Sequence, residues 1–359
     1  MKQDINDYQD CLKKHAYQPK EIIRISFNPK YDDAADLIFD NKDNQFHVDK
    51  NKILNSRSFR RETDKTQAFF RLNNPHVRTR SSHTNEVVAI ATTISRFLGL
   101  NTDLVEASAY GHDIGHGPMG HLFEKVLQSF GVDFHHERFS AIVATSIERE
   151  GDGLNLTKET LMGILEHSSG AGNSNVRPDS PNENRVLMYS DKLAGMFSDV
   201  NDFQRYKLLS DKDSRQIEAL FPGNQRNRVN ECIFALIKES AQKGYVSFED
   251  SDVAQKFKEL KQLMYTTKYS EISTTRRSDM LKIAYDAIAN LSELKDCDPT
   301  IVTALMTNKE VYALDAIAEF EKIKLDDLKD FGVYESIIDG SLSGKKYSDL
   351  DLQLHQILG

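Results

Sequence analysis

The chain has 359 residues, with 46 Lys+Arg against 55 Asp+Glu and a formal net charge of −9. An apolar fraction of 39% and a charged fraction of 28% are ordinary for a globular protein with a buried core and exclude a largely disordered chain. Three scattered cysteines, Cys11, Cys232 and Cys297, exclude a disulfide framework or a Cys-rich zinc module, and the acidic balance argues against duplex nucleic acid as a partner.

The start, MKQDINDYQDCLKKH, is polar and lacks the apolar core of a secretory leader. The longest apolar run, Val87 to Ser95, is far short of the ~20 residues that span a bilayer. The expectation is a cytoplasmic protein with no membrane partner. Residues 1–52 read as a turn-rich N-terminal segment, in which Glu21 to Phe27 and Gln45 to Val48 are candidate short strands.

From Ile53 onward the periodicity is helical almost throughout. Val87, Ile90, Ala91, Ile94, Phe97 and Leu98 follow i, i+3, i+4, i+7 spacing, one buried helical stripe. Gly99 ends that helix, and Thr102 is the expected cap of the next. Further helices are predicted over 121–129, 137–149, 157–167, 182–205, 226–243, 252–264, 276–293, 298–305, 309–321 and 324–330. A break over 211–227 separates a core, 53–215, from a C-terminal helical region, 216–359. Residues 170–184 read as an exposed loop. Strand–helix alternation is missing, so the fold class is mainly α.

The chemistry concentrates in one stretch. Five of the eleven histidines lie between Gly111 and Glu137, in G-H-D-I-G-H-G-P-M-G-H-L-F-E followed by H-H-E. His112 and Asp113, adjacent on a helix, project about 100° apart and can reach one ion between helices. Gly115, Gly117, Pro118 and Gly120 interrupt the helix directly after them and would open a cleft there. His83 shares the inward stripe of Val87, and Asp191 stands four residues after Leu187, beside Leu193 and Ala194. Together these four residues make a mixed N/O ligand set. It suits Mn or Mg first, with Fe, Co or Zn also able to occupy it. Residue by residue, a satisfied polar core remains an open alternative.

A basic run precedes the cluster: Arg57, Arg60, Arg61, Lys65, Arg71, Arg78 and Arg80. Arginine forks suit phosphate oxygens. Arg80 lies three residues before His83 and Lys192 follows Asp191, which ties two basic side chains to two candidate ligands. The alternative is a solvated basic face.

The order His83, His112-Asp113, Asp191 resembles the H…HD…D signature of the HD-domain metal-dependent phosphohydrolases. Within that superfamily the chain is most similar to the deoxynucleoside triphosphate triphosphohydrolases, which include dGTPases. The resemblance rests on RSFRRETDKTQ (57–67), VRTRSSHTNEV (77–87), LVEASAYGHDIGHGPMGHLFE (104–124) and YSDKLAGMFSD (189–199), with support from GLNLTKETLMGIL (153–165). It implies an HD helical bundle with additional C-terminal helices, holding a divalent metal on His83, His112, Asp113 and Asp191. It further implies that His121 and Glu124 form an acid/base pair near the α-phosphate, with His116 and His136 also facing the phosphates. Arg80 and Lys192 would grip the triphosphate, Gln67 would contact the sugar 3′-hydroxyl, and Asp199 would assist. A dNTP substrate, a nucleotide activator at a second site and a homo-oligomer (tetramer or hexamer) are implied as well. Two positions depart from the pattern. Gly195 stands where a tyrosine commonly packs on the sugar, with Tyr189 and Phe197 as aromatic candidates to fill the gap, and Ser198 replaces a frequent histidine. A phosphohydrolase of cyclic or alarmone nucleotides and a non-catalytic nucleotide sensor are the rival functions. The expected roles are control of nucleotide pools or depletion of dNTPs against phage.

Overall fold

A computed structural model describes residues 5–25, 45–67, 74, 76–168, 180–267 and 275–358. Residues 26 and 27 of the first candidate strand, Arg71 of the basic run, and 170–179 of the expected loop lie outside the described residues.

The chain is mainly α, as its periodicity requires. Helix α1 spans Gln45–Leu54 and α2 Arg57–Arg61. The metal-site expectation rests on α3 (Arg80–Leu98), α4 (Thr102–Gly111) and α8 (Asn182–Arg205). Between them lie α5 (His121–Ser129), α6 (His136–Ile142, continued by a π-turn over Val143–Ile147) and α7 (Lys158–Glu166). The C-terminal part adds α9 (Asp211–Leu220), α10 (Gln225–Lys243), α11 (Asp252–Thr267), α12 (Thr275–Asn290), α13 (Pro299–Leu305), α14 (Asn308–Ala318), α15 (Tyr334–Ile338) and α16 (Tyr347–Leu358).

Local signals set the main boundaries. The Thr79 hydroxyl accepts from the Ser82 amide, and the Ser82 side chain returns a bond to the Thr79 amide, a capping box that starts α3. Gly99 closes it in the left-handed region at φ 77°. The cap of α4 is Asn101, whose side chain accepts from the Leu104 amide, rather than Thr102.

Several expectations are corrected. Gln45 to Val48 is not a strand. Gln45, Val48, Asp49, Lys52 and Ile53 are buried at i, i+3, i+4, i+7, i+8, a helical stripe that three polar side chains concealed. Asp49 is buried because its carboxylate accepts from Arg24 Nη1 (2.6 Å), the Thr157 amide (3.0 Å) and the Thr160 hydroxyl (2.7 Å). Arg24–Ile25 (β1) does form, pairing antiparallel with an unexpected Leu156–Thr157 (β2). The break over 211–227 contains α9, which buries only Ile217 and so shows no apolar stripe. The 324–330 helix is a single 3-10 turn, Leu325–Leu328.

Among the described residues two large apolar clusters form the core, with a third, small one of Phe46, Leu104 and Ala107. One joins residues of α5 to α7 with α12 to α16, through Phe123, Phe139, Leu161, Leu281, Leu314 and Leu354. The other joins α3, α4 and α8 with α10 and α11, through Val87, Ile94, Leu187, Phe197, Leu236 and Leu260. The C-terminal helices therefore complete both sides of the core. No helix among the described residues is long and apolar enough to cross a membrane.

Candidate metal centre and phosphate site

His83 reaches the centre from the first turn of α3, His112 and Asp113 from the end of α4, and Asp191 from the middle of α8. Packing of α3 against both α4 and α8 brings together residues that are 108 positions apart. His83 Nε2 lies 2.9 Å from Asp191 Oδ1 and 4.0 Å from Asp113 Oδ2. His112 Nε2 lies 3.3 Å from Asp113 Oδ2 and 3.9 Å from Asp191 Oδ1. An ion with bonds of about 2.1 Å separates its donors by about 3.0 Å when adjacent and about 4.2 Å when opposite. These four separations fit that range; His83, His112 and Asp113 form one compact donor group, which Asp191 adjoins through His83 and His112.

The buried His112 Nε2 has no hydrogen-bond partner, although a polar atom in that position requires one. Its Nδ1 donates to the Ala109 carbonyl at 2.7 Å, which leaves Nε2 as the lone pair turned to the carboxylates. The donor set fits a divalent cation. Without one, burial lowers the His112 pKa but Asp113 and Asp191 outweigh it, raising it to about 9. Burial raises Asp113 and Asp191, yet Arg80 and His112 hold Asp113, and His83 holds Asp191, well below the usual carboxylate range.

Arg80 serves this centre from below. Its Nη1 donates to Asp113 Oδ2 at 2.7 Å and its Nη2 to the Gln67 carbonyl at 3.2 Å. Glu62 is fully buried beside them, accepts from the Thr84 hydroxyl at 2.9 Å, and is pushed up to about 8 by burial and the Asp113 charge. Glycine at 115 permits close packing rather than opening a cleft. A Cβ there would stand 2.2 Å from the Ser140 backbone nitrogen, while the Ser140 hydroxyl donates to the His112 carbonyl at 2.9 Å and accepts from the Gly115 amide at 3.0 Å.

A second group adjoins the first. Glu124 bridges two histidines: Oε1 lies 2.6 Å from His136 Nδ1 and Oε2 3.3 Å from His121 Nδ1. Burial pushes Glu124 up, but His136 and His121 hold it far below the usual range, while His136 is raised to about 9 against its own burial. His116 stacks on His136, with ring centres 4.5 Å apart. Burial, with Arg80 and His136 nearby, keeps His116 well below its ordinary pKa. His121 is two-thirds exposed, the one member of the group that faces solvent.

The remaining expected contacts are less concentrated. The Gln67 side-chain oxygen is buried with no hydrogen-bond partner, and its Nε2 faces Gly195 and the His83 ring. Lys192 is pushed down to about 8 by burial, with the Lys261 charge adding to it. Asp199 is buried on the same helix. Burial and the charges of Asp191 and Asp199 raise the Tyr265 phenol, so α11 sets Lys261 and Tyr265 beside this face of α8. Neither aromatic candidate fills the space at Gly195. The Tyr189 hydroxyl bonds Glu249 at 3.2 Å, and Phe197 packs in the core against Phe221 and Phe257. Ser198 bonds Glu86 and accepts from Gln225 Nε2 at 3.3 Å, a tie to α10.

The described residues of the basic run do not form one phosphate-facing patch. Arg57 pairs with Asp339 at 3.0 Å, and Arg61 donates to the Gly332 carbonyl at 3.2 Å. Buried Lys65 donates to the carbonyls of His116 (2.6 Å) and Ala304 (2.9 Å). Arg78 binds Asp202, Glu86 and Gln225. These residues tie the centre to the C-terminal helices.

His167, which caps the C-terminal end of α7, joins this group from outside the sequence motif. It is buried, with its ring centre 5.0 Å from that of His112 and its Nε2 3.3 Å from His136 Nε2. Its place after Thr160, Leu161 and Ile164 on the inward stripe was the available signal.

An HD domain family model matches residues 80–196. The chain is 34% identical over 284 residues to a deoxyguanosinetriphosphate triphosphohydrolase-like protein of Clostridium tetani, covering 76% of this chain and 81% of the relative. It is 40% identical over 232 residues to a protein of the same description from Clostridium perfringens, covering 62% and 67%. A third, from Desulfatibacillum aliphaticivorans, is 45% identical over 162 residues, covering 44% and 46%.

Proposed function

This chain belongs to the deoxyguanosinetriphosphate triphosphohydrolase-like family of HD-domain phosphohydrolases, and from that premise we propose that it hydrolyses a deoxynucleoside triphosphate to deoxynucleoside and tripolyphosphate. The observation that carries the reading is the adjacency of the His83–His112–Asp113–Asp191 donors to the His121–Glu124–His136 string, with His136 Nε2 lying 3.9 Å from Asp113 Oδ1. A bound divalent cation, Mn or Mg with Fe, Co or Zn as substitutes, supplies Lewis acidity at the α-phosphate.

The chain's own residues do the rest. The bond between the α-phosphorus and the 5′-oxygen breaks as a water oxygen bonds to phosphorus. The water gives up a proton and the 5′-oxygen receives one. His121 is the proton carrier, because its ring is open to solvent beside the buried histidines and its Nδ1 is held by Glu124. Glu124 orients the ring and stabilises its charged form. His116, kept neutral, and His136 line the phosphate path. Arg80 and Lys192 add positive charge beside the triphosphate, Gln67 receives the sugar 3′-hydroxyl on its unpartnered oxygen, and Asp199 supports that face of α8.

The same proposal includes a homo-oligomer, a nucleotide activator at a second site, and a role in nucleotide-pool control or antiphage dNTP depletion. The test incubates the protein with Mn²⁺ and each dNTP and NTP, singly and in mixtures, and resolves products by ion-exchange chromatography. Tripolyphosphate that disappears in Asp113→Ala and His121→Ala supports the reading. No tripolyphosphate under any combination overturns it in favour of a cyclic or alarmone nucleotide.

A further inference from the structure

Helix α5, which carries His121 and Glu124, begins without a side chain that caps it. Gly120 precedes it at φ 65° and makes no side-chain bond to the first turn. Before that stands Met119, buried at φ 60°. A residue with a side chain adopts that left-handed conformation only where its surroundings impose it. The local sequence therefore does not aim His121, the first residue of α5. A contact from elsewhere in the chain must.

Asn308 makes that contact. It is the first residue of α14 and is wholly buried. Its Oδ1 accepts from the Met119 amide at 2.9 Å, and its Nδ2 donates to the Thr66 hydroxyl. One carboxamide thus joins the turn before His121 to the segment that carries Gln67. The two meet closely, since a Cβ on Gly120 would stand 3.2 Å from the Gln67 carbonyl oxygen. Lys65 makes a parallel tie, donating to the carbonyls of His116 at 2.6 Å and Ala304 at 2.9 Å. Asn308 is itself held in place. The Thr307 hydroxyl accepts from the Glu310 amide, Glu310 Oε2 accepts from the Thr307 amide at 2.5 Å, and Glu310 Oε1 accepts from the Gly332 amide.

We propose that Asn308 is a positioning residue for the hydrolysis, clamping the Met119–Gly120 turn so that His121 and Glu124 stand against His136. This inference rests on the reaction proposed above, and it places a determinant of that reaction in the C-terminal helices, outside the matched residues 80–196. Without the carboxamide the Met119 amide is buried and unpaired. The turn then relaxes toward an ordinary φ, and His121 moves with it. The donors His83, His112, Asp113 and Asp191, and Arg80 beside them, lie on α3, α4 and α8 and make no bond to Asn308. Removing the clamp therefore disturbs proton transfer more than the binding of metal or phosphate.

The experiment compares Asn308→Ala and Asn308→Asp in the full chain, by tripolyphosphate release, Mn²⁺ binding and amide hydrogen exchange, with circular dichroism reporting folding. Aspartate keeps an acceptor for the Met119 amide and accepts from the Thr66 hydroxyl in return. In Asn308→Ala kcat is expected to fall about 100-fold, the effect of an ångström of misplacement, with KM and Mn²⁺ affinity little changed. Asn308→Asp is expected to recover most of kcat. Exchange of the Met119 amide is expected to accelerate in the alanine variant alone. A folded Asn308→Ala with wild-type kcat overturns the positioning role and leaves the reaction standing, as does a loss that aspartate fails to restore. A wild type that releases no tripolyphosphate overturns the reaction and this role with it. Should Asn308→Ala not fold, the wild type still decides: a Met119 amide that exchanges as fast as an exposed one overturns the clamp, and a protected one upholds it.

Discussion

Arg80 and Asp113 form a buried ion pair in which Nη1 donates to Oδ2 at 2.7 Å, both side chains being 5% exposed or less. The same guanidinium holds the Gln67 carbonyl. One side chain therefore ties the Asp113 carboxylate, the segment carrying Gln67 and the first turn of α3 together.

Arg80→Met leaves the Asp113 carboxylate buried with its principal partner gone. Removing one member of a buried pair costs about 3–5 kcal/mol, and urea unfolding of the metal-free variant is expected to show a loss of that order. Mn²⁺ restores part of the missing positive charge, so the loss shrinks on titration with Mn²⁺. Arg80→Lys keeps the charge but cannot reach Asp113 and the Gln67 carbonyl in one planar fork, and its activity stays low although its stability largely recovers. A variant as stable as the wild type without metal would contradict the geometry.

Metal uptake is expected to release protons. In the metal-free protein His112 titrates near pH 9, so Mn²⁺ competes with a proton at neutral pH. The apparent affinity rises about tenfold per pH unit on going from pH 6.5 to 8.5. Isothermal titration in buffers of different ionisation enthalpy measures the proton count, and a pH-independent affinity would rule out His112 as a ligand.

The metal-free protein is expected to be most stable near pH 6.5. His112 and His136 are raised to about 9, so their contribution is complete below their ordinary value of about 6.5 and is lost as pH rises through 9. Burial, with further contributions from neighbouring charges, lowers His116 and His167, the latter to about 3. The unfolded chain therefore takes up protons there below pH 6.5 that the folded chain refuses. Stability falls on that side too. Glu62, pushed up to about 8, deepens the alkaline loss, and Lys65, pushed down to about 7 by burial, partly opposes it. Urea midpoints from pH 4 to 9 in chelator test the profile. A steady rise to pH 9 would refute it.

Gly115→Ala and Gly195→Ala are expected to differ in sign. At 115 the new Cβ meets the Ser140 nitrogen at 2.2 Å, so the His112–Asp113 turn must move and Mn²⁺ binding is lost. At 195 the nearest atoms are His83 Cε1 at 3.8 Å and Gln67 Nε2 at 3.9 Å, ordinary contacts in mid-helix. Alanine there gains about 0.8–1 kcal/mol of helix propensity. Thermal melts compare the two.

Glu124→Gln removes the charge that holds both His121 and His136. A positioned acid–base group contributes about 10²–10⁴-fold, and a fall of that order in kcat is expected with KM little changed. The basic limb of the pH–rate profile also moves to lower pH, because His136 loses the carboxylate that raises it. A variant that lost activity through misfolding alone would keep its profile.

Much of this site was legible in the linear chain. Helical period placed His83 on the stripe of Val87 and Ile94, and it placed Asp191 on that of Leu187, because side chains three and four apart share a helix face. The predicted 182–205 helix matches α8 for the same reason. The adjacency of His112 and Asp113 and the spacing of His121 and Glu124 are local facts, and the structure keeps them local. Helix α1 escaped because its inward face carries Gln45, Asp49 and Lys52. Burial of Asp49 and Lys52 depends on partners such as Arg24, Thr157 and the Asn155 carbonyl, which periodicity does not contain.

Tertiary structure decided the rest. It turned Arg57, Arg61 and Lys65 from apparent phosphate ligands into ties to Asp339, Gly332 and Ala304, partners more than 200 positions away. It set Lys261 and Tyr265 beside α8 and brought His167 to within 3.3 Å of His136. A sequence by itself determines which face of each helix is apolar and which reactive groups lie one turn apart. Which helices then meet depends on how those faces pack and on where buried charges find partners, and those are properties of the assembled core.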